Sequence, residues 1–187
     1  ASDVYKRQAD TQVGRRQPLG VPQVSTSLDY QGELAVVIGH VGRAIDKESA
    51  MDHVAGYSCY NDASVRNWQG HTSRFTPGKN FPHTGGFGPC LVTADEIDDV
   101  DNLAICARLN GEILQDSNTA RMIFRISALI EYISAFTPLS AGDVISTGTP
   151  GGVGFTRKPP IYLKPGDEVA VEIEKVGTLV NPVVAGM

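Results

Sequence analysis

Only one stretch of the 187 residues, 119–136, sustains a helical period, so most of the fold must be built from something other than helix. Within it Met122, Ile123, Ile126, Leu129, Ile130 and Ile133 recur at three- and four-residue spacing. That pattern places one apolar stripe on a helix. Asn118 stands ahead of it as a candidate N-cap and Pro138 closes it. Elsewhere the apolar runs are short and broken by turn residues. Residues 34–38, LAVVI, lie between Gly32 and Gly39 and read as a buried strand. Further strands are expected at 57–61, 144–146, 168–174 and 178–184. Residues 104–109 and 112–115 flank Asn110-Gly111, the pair that supplies the positive φ angles of a tight hairpin turn. A short capped helix is expected after Asp46, closing near Gly56. The reading is α+β, with strands dominant and one main helix.

The apolar fraction of 41 % against 20 % charged residues describes a chain that folds around a core. Sixteen Lys and Arg against 21 Asp and Glu leave a net charge of −5 and no basic stripe, so nucleic acid is not an expected partner. The longest clean apolar run, residues 34–38, falls far short of the roughly 20 residues of a membrane helix, so no membrane partner is expected. Cys59, Cys90 and Cys106 form no CxxC pair, which argues against a disulfide framework and suits a reducing, cytoplasmic setting. Residues 1–8 lack useful periodicity and are set aside as a leader foreign to the domain, leaving 9–187 as one domain. Residues 69–89 form a long Gly- and Pro-rich loop of the kind that carries function.

Three places could carry chemistry. Gln31 and Glu33, two apart at the head of a strand, present their oxygens on one face. Asp62 follows the next strand. Oxygen donors converging from separate segments suit a hard cation such as Mg²⁺, Mn²⁺ or Ca²⁺, although an acidic residue at a strand end is more often a solvated surface group. Lys79, in a loop framed by Gly78 and Pro77, could hold an anionic substrate group. The strand 144–146 runs into Thr147–Gly154, a glycine-rich turn able to aim N–H groups and the Thr149 hydroxyl at a carboxylate. It matches neither a phosphate loop nor a dinucleotide fingerprint. His40, His53, His71 and His83 form no zinc motif, and no nucleophile elbow accompanies them.

Together, LDYQGELAVVIG (28–39), HVAGYSCYNDASVRNWQ (53–69), FTPGKNFP (75–82), FGPCLVTADEI (87–97), LNGEILQDSNTARMIF (109–124), GDVISTGTPGGVG (142–154) and LKPGDEVAVEIEKVGTLVNPV (163–183) resemble the fumarylacetoacetate hydrolase superfamily, specifically its C-terminal catalytic domain. The resemblance covers about residues 12–187 in order. It implies a mixed β-sheet roll with one main helix and a homodimer. It also implies a divalent ion, Mg²⁺ or alternatively Mn²⁺ or Ca²⁺, held at the positions of Gln31, Glu33 and Asp62. Lys79 takes the active-site lysine position, and Arg66, Gln69, Lys79 and Thr149 take substrate-binding positions. The implied substrates are small 2-oxo and β-diketo carboxylates, and the implied reactions are C–C hydrolysis, decarboxylation, tautomerisation and isomerisation. All of these develop charge on an enolate oxygen beside a carboxylate, which a cation and a lysine can stabilise.

Two departures stand out. Gln31 replaces the usual Glu of an E-x-E pair, removing one negative charge and predicting weaker metal affinity. The N-Y-x-x-H-x-x-E stretch of many members does not precede Gln31, so an upstream segment carrying the base is expected to be missing. A catalytically silent metal- or ligand-binding domain is therefore the alternative reading.

Overall fold

The computed structural model describes residues 6–186. Two five-stranded sheets carry the architecture. The first runs, in spatial order, Gln12–Val13, Gly85–Thr93, Val54–Asn61, Gly32–Ile38 and Val144–Ser146. The second runs Leu19–Val21, Gly177–Ala185, Glu168–Ile173, Ala104–Leu109 and Glu112–Asn118. A short ladder pairs Leu28–Asp29 with Ser64–Val65. Most pairings are antiparallel, but Gln12–Val13 lies parallel to residues 85–86 and Leu19–Val21 parallel to 183–185. The sheets are thus mixed, and the α+β reading holds.

The hairpin forms as the sequence predicts. Asn110 and Gly111 take φ of 52° and 86°, turning Ala104–Leu109 into Glu112–Asn118. The main helix differs from expectation at its start: it spans Ile126–Phe136 rather than beginning at 119. The preceding residues are claimed by the sheet, where Asn118 still pairs with Ala104. Buried Thr119 is then pinned, its hydroxyl donating to the Val100 carbonyl (2.8 Å) and accepting the Leu103 amide (2.8 Å). Asn118 does cap, but it caps the 3-10 turn Thr119–Arg121, accepting from the Ala120 amide. The helix expected after Asp46 contracts to a 3-10 turn, Ala50–His53, because the strand beginning at Val54 takes up the following residues.

Two apolar clusters fill the interior. The larger joins Leu34, Val36 and Ile38 of the first sheet to Ile105, Val171, Ile173 and Leu179 of the second, and the helix closes it with Ile126 and Ile130. The smaller gathers Leu28, Tyr30, Ala63, Val65, Leu109, Leu114, Leu163 and Val169 around the short ladder. No helix among the described residues is long and apolar enough to cross a membrane.

Candidate active site

Strand pairing brings the acidic residues together. Glu33 sits opposite Tyr60, and Gly32 opposite Asn61, where Gly32–Ile38 meets Val54–Asn61. Just beyond that register the Asp62 amide donates to the Gln31 carbonyl (2.9 Å), and the Gln31 amide donates to Asn61 Oδ1 (3.0 Å). Gln31, Glu33 and Asp62 are all buried. The Gln31 side chain turns its Nε2 toward the Asp62 carbonyl (2.8 Å) and Ser64 Oγ (2.5 Å), so its amide group also fastens the turn that carries Asp62.

Four charged groups meet there. Lys79, from the short helix Thr76–Lys79, donates to Asp62 Oδ2 and is itself buried. Arg7 Nε donates to Asp62 Oδ1 at 2.6 Å, and its other nitrogens reach the Ala63 carbonyl and Thr84 Oγ1. The leader reading concerned residues 1–8; of these, 1–5 lie outside the described residues. Glu33 Oε2 accepts from Ser146 Oγ (2.5 Å) and from the Gly148 amide (2.9 Å). Burial, reinforced by the Asp62 charge, pushes the Glu33 carboxyl up to about 7. Burial likewise draws the Lys79 ammonium below its ordinary value, against the opposing pull of Asp62 and Glu33.

The remaining expected residues are engaged nearby, chiefly with protein groups. Arg66 Nε pairs with Asp29 Oδ2 (2.8 Å), its Nη1 donates to Gln69 Oε1 (2.8 Å), and its guanidinium lies over the Phe155 ring, 4.3 Å from the centroid. The Thr149 hydroxyl donates to the Gly32 carbonyl (3.0 Å) and accepts from Gln115 Nε2 (2.8 Å). With its one proton on Gly32, this hydroxyl reaches a substrate carboxylate only by giving up that bond.

The sequence reading missed the residues that hold the glycine-rich turn. Asp29 is fully buried and accepts three donors: Arg66 Nε, the Gly154 amide (2.8 Å) and the Phe155 amide (3.0 Å). Position 154 must be glycine, because an added Cβ would lie 1.8 Å from the Ile161 carbonyl oxygen. Buried Gln115 spans the Gly32 amide, Thr149 Oγ1 and the Pro150 carbonyl. Arg157 ties the Gly152 and Leu114 carbonyls to the Tyr30 hydroxyl. Asp29 had one available signal, since it is two residues from Gln31 and four from Glu33. An open groove of about 550 Å³, lined by Trp68, Arg74, Pro77 and Phe81 among others, includes none of the charged cluster in its walls.

The donor chemistry fits a divalent cation. Glu33 and Asp62 carry carboxylates, and Gln31 adds an amide oxygen, its described side-chain hydrogen bonds both being donated from Nε2. These are hard oxygen donors, and with Arg7 and Lys79 both paired to Asp62 a cation would take that carboxylate in competition with two protein cations. The described residues contain no cluster of three or more His, Cys, Asp or Glu side chains able to hold a metal, so a cation on Glu33 and Asp62 would need the Gln31 amide oxygen as well.

The chain has close relatives. Oxaloacetate tautomerase fahd2, mitochondrial, of Xenopus laevis is 45 % identical over 183 residues, covering 97 % of this chain and 57 % of its own length. Oxaloacetate tautomerase YisK of Bacillus subtilis is 44 % identical over 161 residues, covering 86 % of this chain and 54 % of its own. This chain therefore spans little more than half the length of these curated relatives. Among solved structures, the fumarylacetoacetate hydrolase of psychrophilic Exiguobacterium antarcticum superposes with a TM-score of 0.90 at 40 % identity, over 94 % of this chain and 64 % of that one. A probable 2-hydroxyhepta-2,4-diene-1,7-dioate isomerase of Mycobacterium abscessus gives 0.91 at 35 % identity, over 98 % and 70 %. The family described as Fumarylacetoacetate (FAA) hydrolase C-terminal matches residues 1–184. With its mixed sheets, its single main helix and this match over nearly its whole length, the chain belongs to the fumarylacetoacetate hydrolase C-terminal family.

Proposed function

We propose that this domain is the catalytic part of an enzyme acting on small 2-oxo carboxylates through an enolate, with proton transfer on oxaloacetate-like substrates as the leading reaction. The observation that carries the reading is the buried Glu33–Asp62 pair with Lys79 bonded between backbone-fixed walls. Two carboxylates kept out of water beside Lys79 and Arg7 form a buried charge network that costs desolvation, and such networks gather where a ligand uses them. The names of the tautomerase and isomerase relatives agree with that chemistry.

A divalent ion, Mg²⁺ or Mn²⁺, held by Glu33, Asp62 and Gln31 would supply positive charge against the developing enolate oxygen. The chain's own groups do the rest. Lys79, oriented by Asp62, adds a second fixed positive charge to the site. Gln31 holds the Asp62 turn in register. Asp29 and Gln115 fix the glycine-rich turn, so the backbone around Thr149 needs no rearrangement when substrate arrives. Arg66 and Gln69 brace that wall from the side.

We also propose a homodimer. Ile123, 91 % exposed, with Phe124, Tyr132 and Phe136, leaves apolar surface on and just before the main helix. Light scattering at several concentrations tests this, and a strictly monomeric mass would overturn it.

The deciding assay follows the ultraviolet absorbance of oxaloacetate with Mg²⁺ or Mn²⁺, with and without chelator, for the wild type and Glu33→Gln. Cation-dependent conversion above the ion-only background, lost in Glu33→Gln, is the expected result. A folded chain that binds the ion without converting oxaloacetate or an acylpyruvate would instead establish the silent binding domain, which the reduced charge at Gln31 favours.

A further inference from the structure

Ser146 lies at the end of Val144–Ser146, opposite Ala35 in the antiparallel ladder. Ala35 is two residues from Glu33, so Ser146 and Glu33 share one face of the sheet. The consequence is concrete. The Ser146 hydroxyl (2.5 Å) and the Gly148 amide (2.9 Å) both donate to the same carboxylate oxygen, Oε2. A carboxylate oxygen has about two acceptor positions, and here both are filled. Among the described residues the hydrogen bonds to the Glu33 carboxylate both fall on Oε2, which leaves Oε1 for anything else.

We infer that Ser146 is a positioning residue that limits Glu33 to one coordinating oxygen and thereby biases the site toward a small cation over a large one. This rests on the reading of Glu33 as a cation ligand. Mg²⁺ is small, holds strict octahedral geometry and keeps several waters, which a single carboxylate oxygen suits. Ca²⁺ takes more oxygens and commonly grips a carboxylate through both. Removing the Ser146 hydroxyl frees one of the two acceptor positions on Oε2, the Gly148 amide keeping the other, so Glu33 can offer both oxygens, and that helps the larger ion more. Ser146 is solvent-exposed, so its substitution leaves the core untouched.

Calorimetric titration of the 187-residue chain with MgCl₂ and with CaCl₂ tests the inference in the wild type, Ser146→Ala, Ser146→Thr and Glu33→Gln. In Ser146→Ala the ratio of the two dissociation constants is expected to move toward Ca²⁺ by about tenfold or more, the scale of losing one hydrogen bond to a charged group. Ser146→Thr keeps the hydroxyl and is expected to keep the wild-type ratio. A merely structural serine would weaken both ions equally or neither. If both ions bind but the ratio in Ser146→Ala stays within about twofold of wild type, the inference falls and the cation site stands. If neither ion binds the folded wild type, or if Glu33→Gln binds as well as wild type, the ligand reading falls and takes the inference with it.

Discussion

The two apolar clusters do different work. The larger, between the sheets and under Ile126–Phe136, is closed almost entirely by Leu, Ile and Val, and its cohesion comes from area removed from water. The smaller lies beside the site and is threaded by polar clamps: Asp29 on Gly154 and Phe155, Gln115 on Thr149 and Pro150, and Arg157 on Gly152 and Leu114. Apolar packing is non-directional and tolerates small shifts. Hydrogen bonds to backbone groups fix position, which a site needs more than raw stability.

The sharpest way to break this contrast is Asp29→Ala. It leaves the half-buried Arg66 guanidinium without its carboxylate and strips the acceptor from two amides, so a loss of about 3 kcal/mol is expected in urea unfolding. Hydrogen exchange across residues 147–157 should accelerate beyond what that global loss explains. Uniform acceleration through the whole chain would mean that the clamp stabilises without positioning. Ile130→Ala, in the larger cluster, should cost about 3 kcal/mol through the cavity it leaves, while cation affinity per folded molecule stays at the wild-type value. A fall in that affinity would show the clusters to be coupled. Gln115→Ala, at about 2 kcal/mol, should loosen the Thr149 turn by leaving the Gly32 amide unpaired, with little change in exchange along the main helix. The smallest effect is on thiol labelling. Cys90 is exposed and should react at once with a disulfide reagent at pH 8. Cys106 should follow slowly. Cys59, fully buried with its thiol pushed up to about 12 by burial, should react only on unfolding, and raising the pH to 9 should not release it. Early labelling of Cys59 would mean that the larger cluster opens readily.

Much of this was legible in the chain. Residues 34–38, the Asn110-Gly111 turn and the strand before the glycine-rich turn carry local signals that tertiary contacts did not override. The helix start was not legible, because Thr119 is held by Val100 and Leu103, partners that no local window contains. The site divides in the same way. Glu33, Asp62 and Lys79 come together, since the pairing that sets Glu33 opposite Tyr60 brings Asp62 opposite Gln31, two positions along the ladder. The partners of Arg66 and Thr149 were hidden, because Asp29 and Gln115 meet them only through long-range pairing. Ser146 was hidden for the same reason: its relation to Glu33 appears only once Val144–Ser146 is known to pair with residues 35–37.

The parallel pairing of Leu19–Val21 with residues 183–185 has a consequence for how the molecule is made. It joins segments from nearly opposite ends of the described chain, so it closes one of the widest loops in the fold and gives up the corresponding chain entropy at once. Leu19 and Val183 both belong to the smaller cluster, the one beside the charged site. Non-local closures of this kind slow folding. The hairpin and main helix draw on neighbours in sequence, whereas the smaller cluster depends on this long-range closure. A half-folded chain therefore exposes Glu33 and Asp62 to water, where they ionise freely and hold no particular geometry.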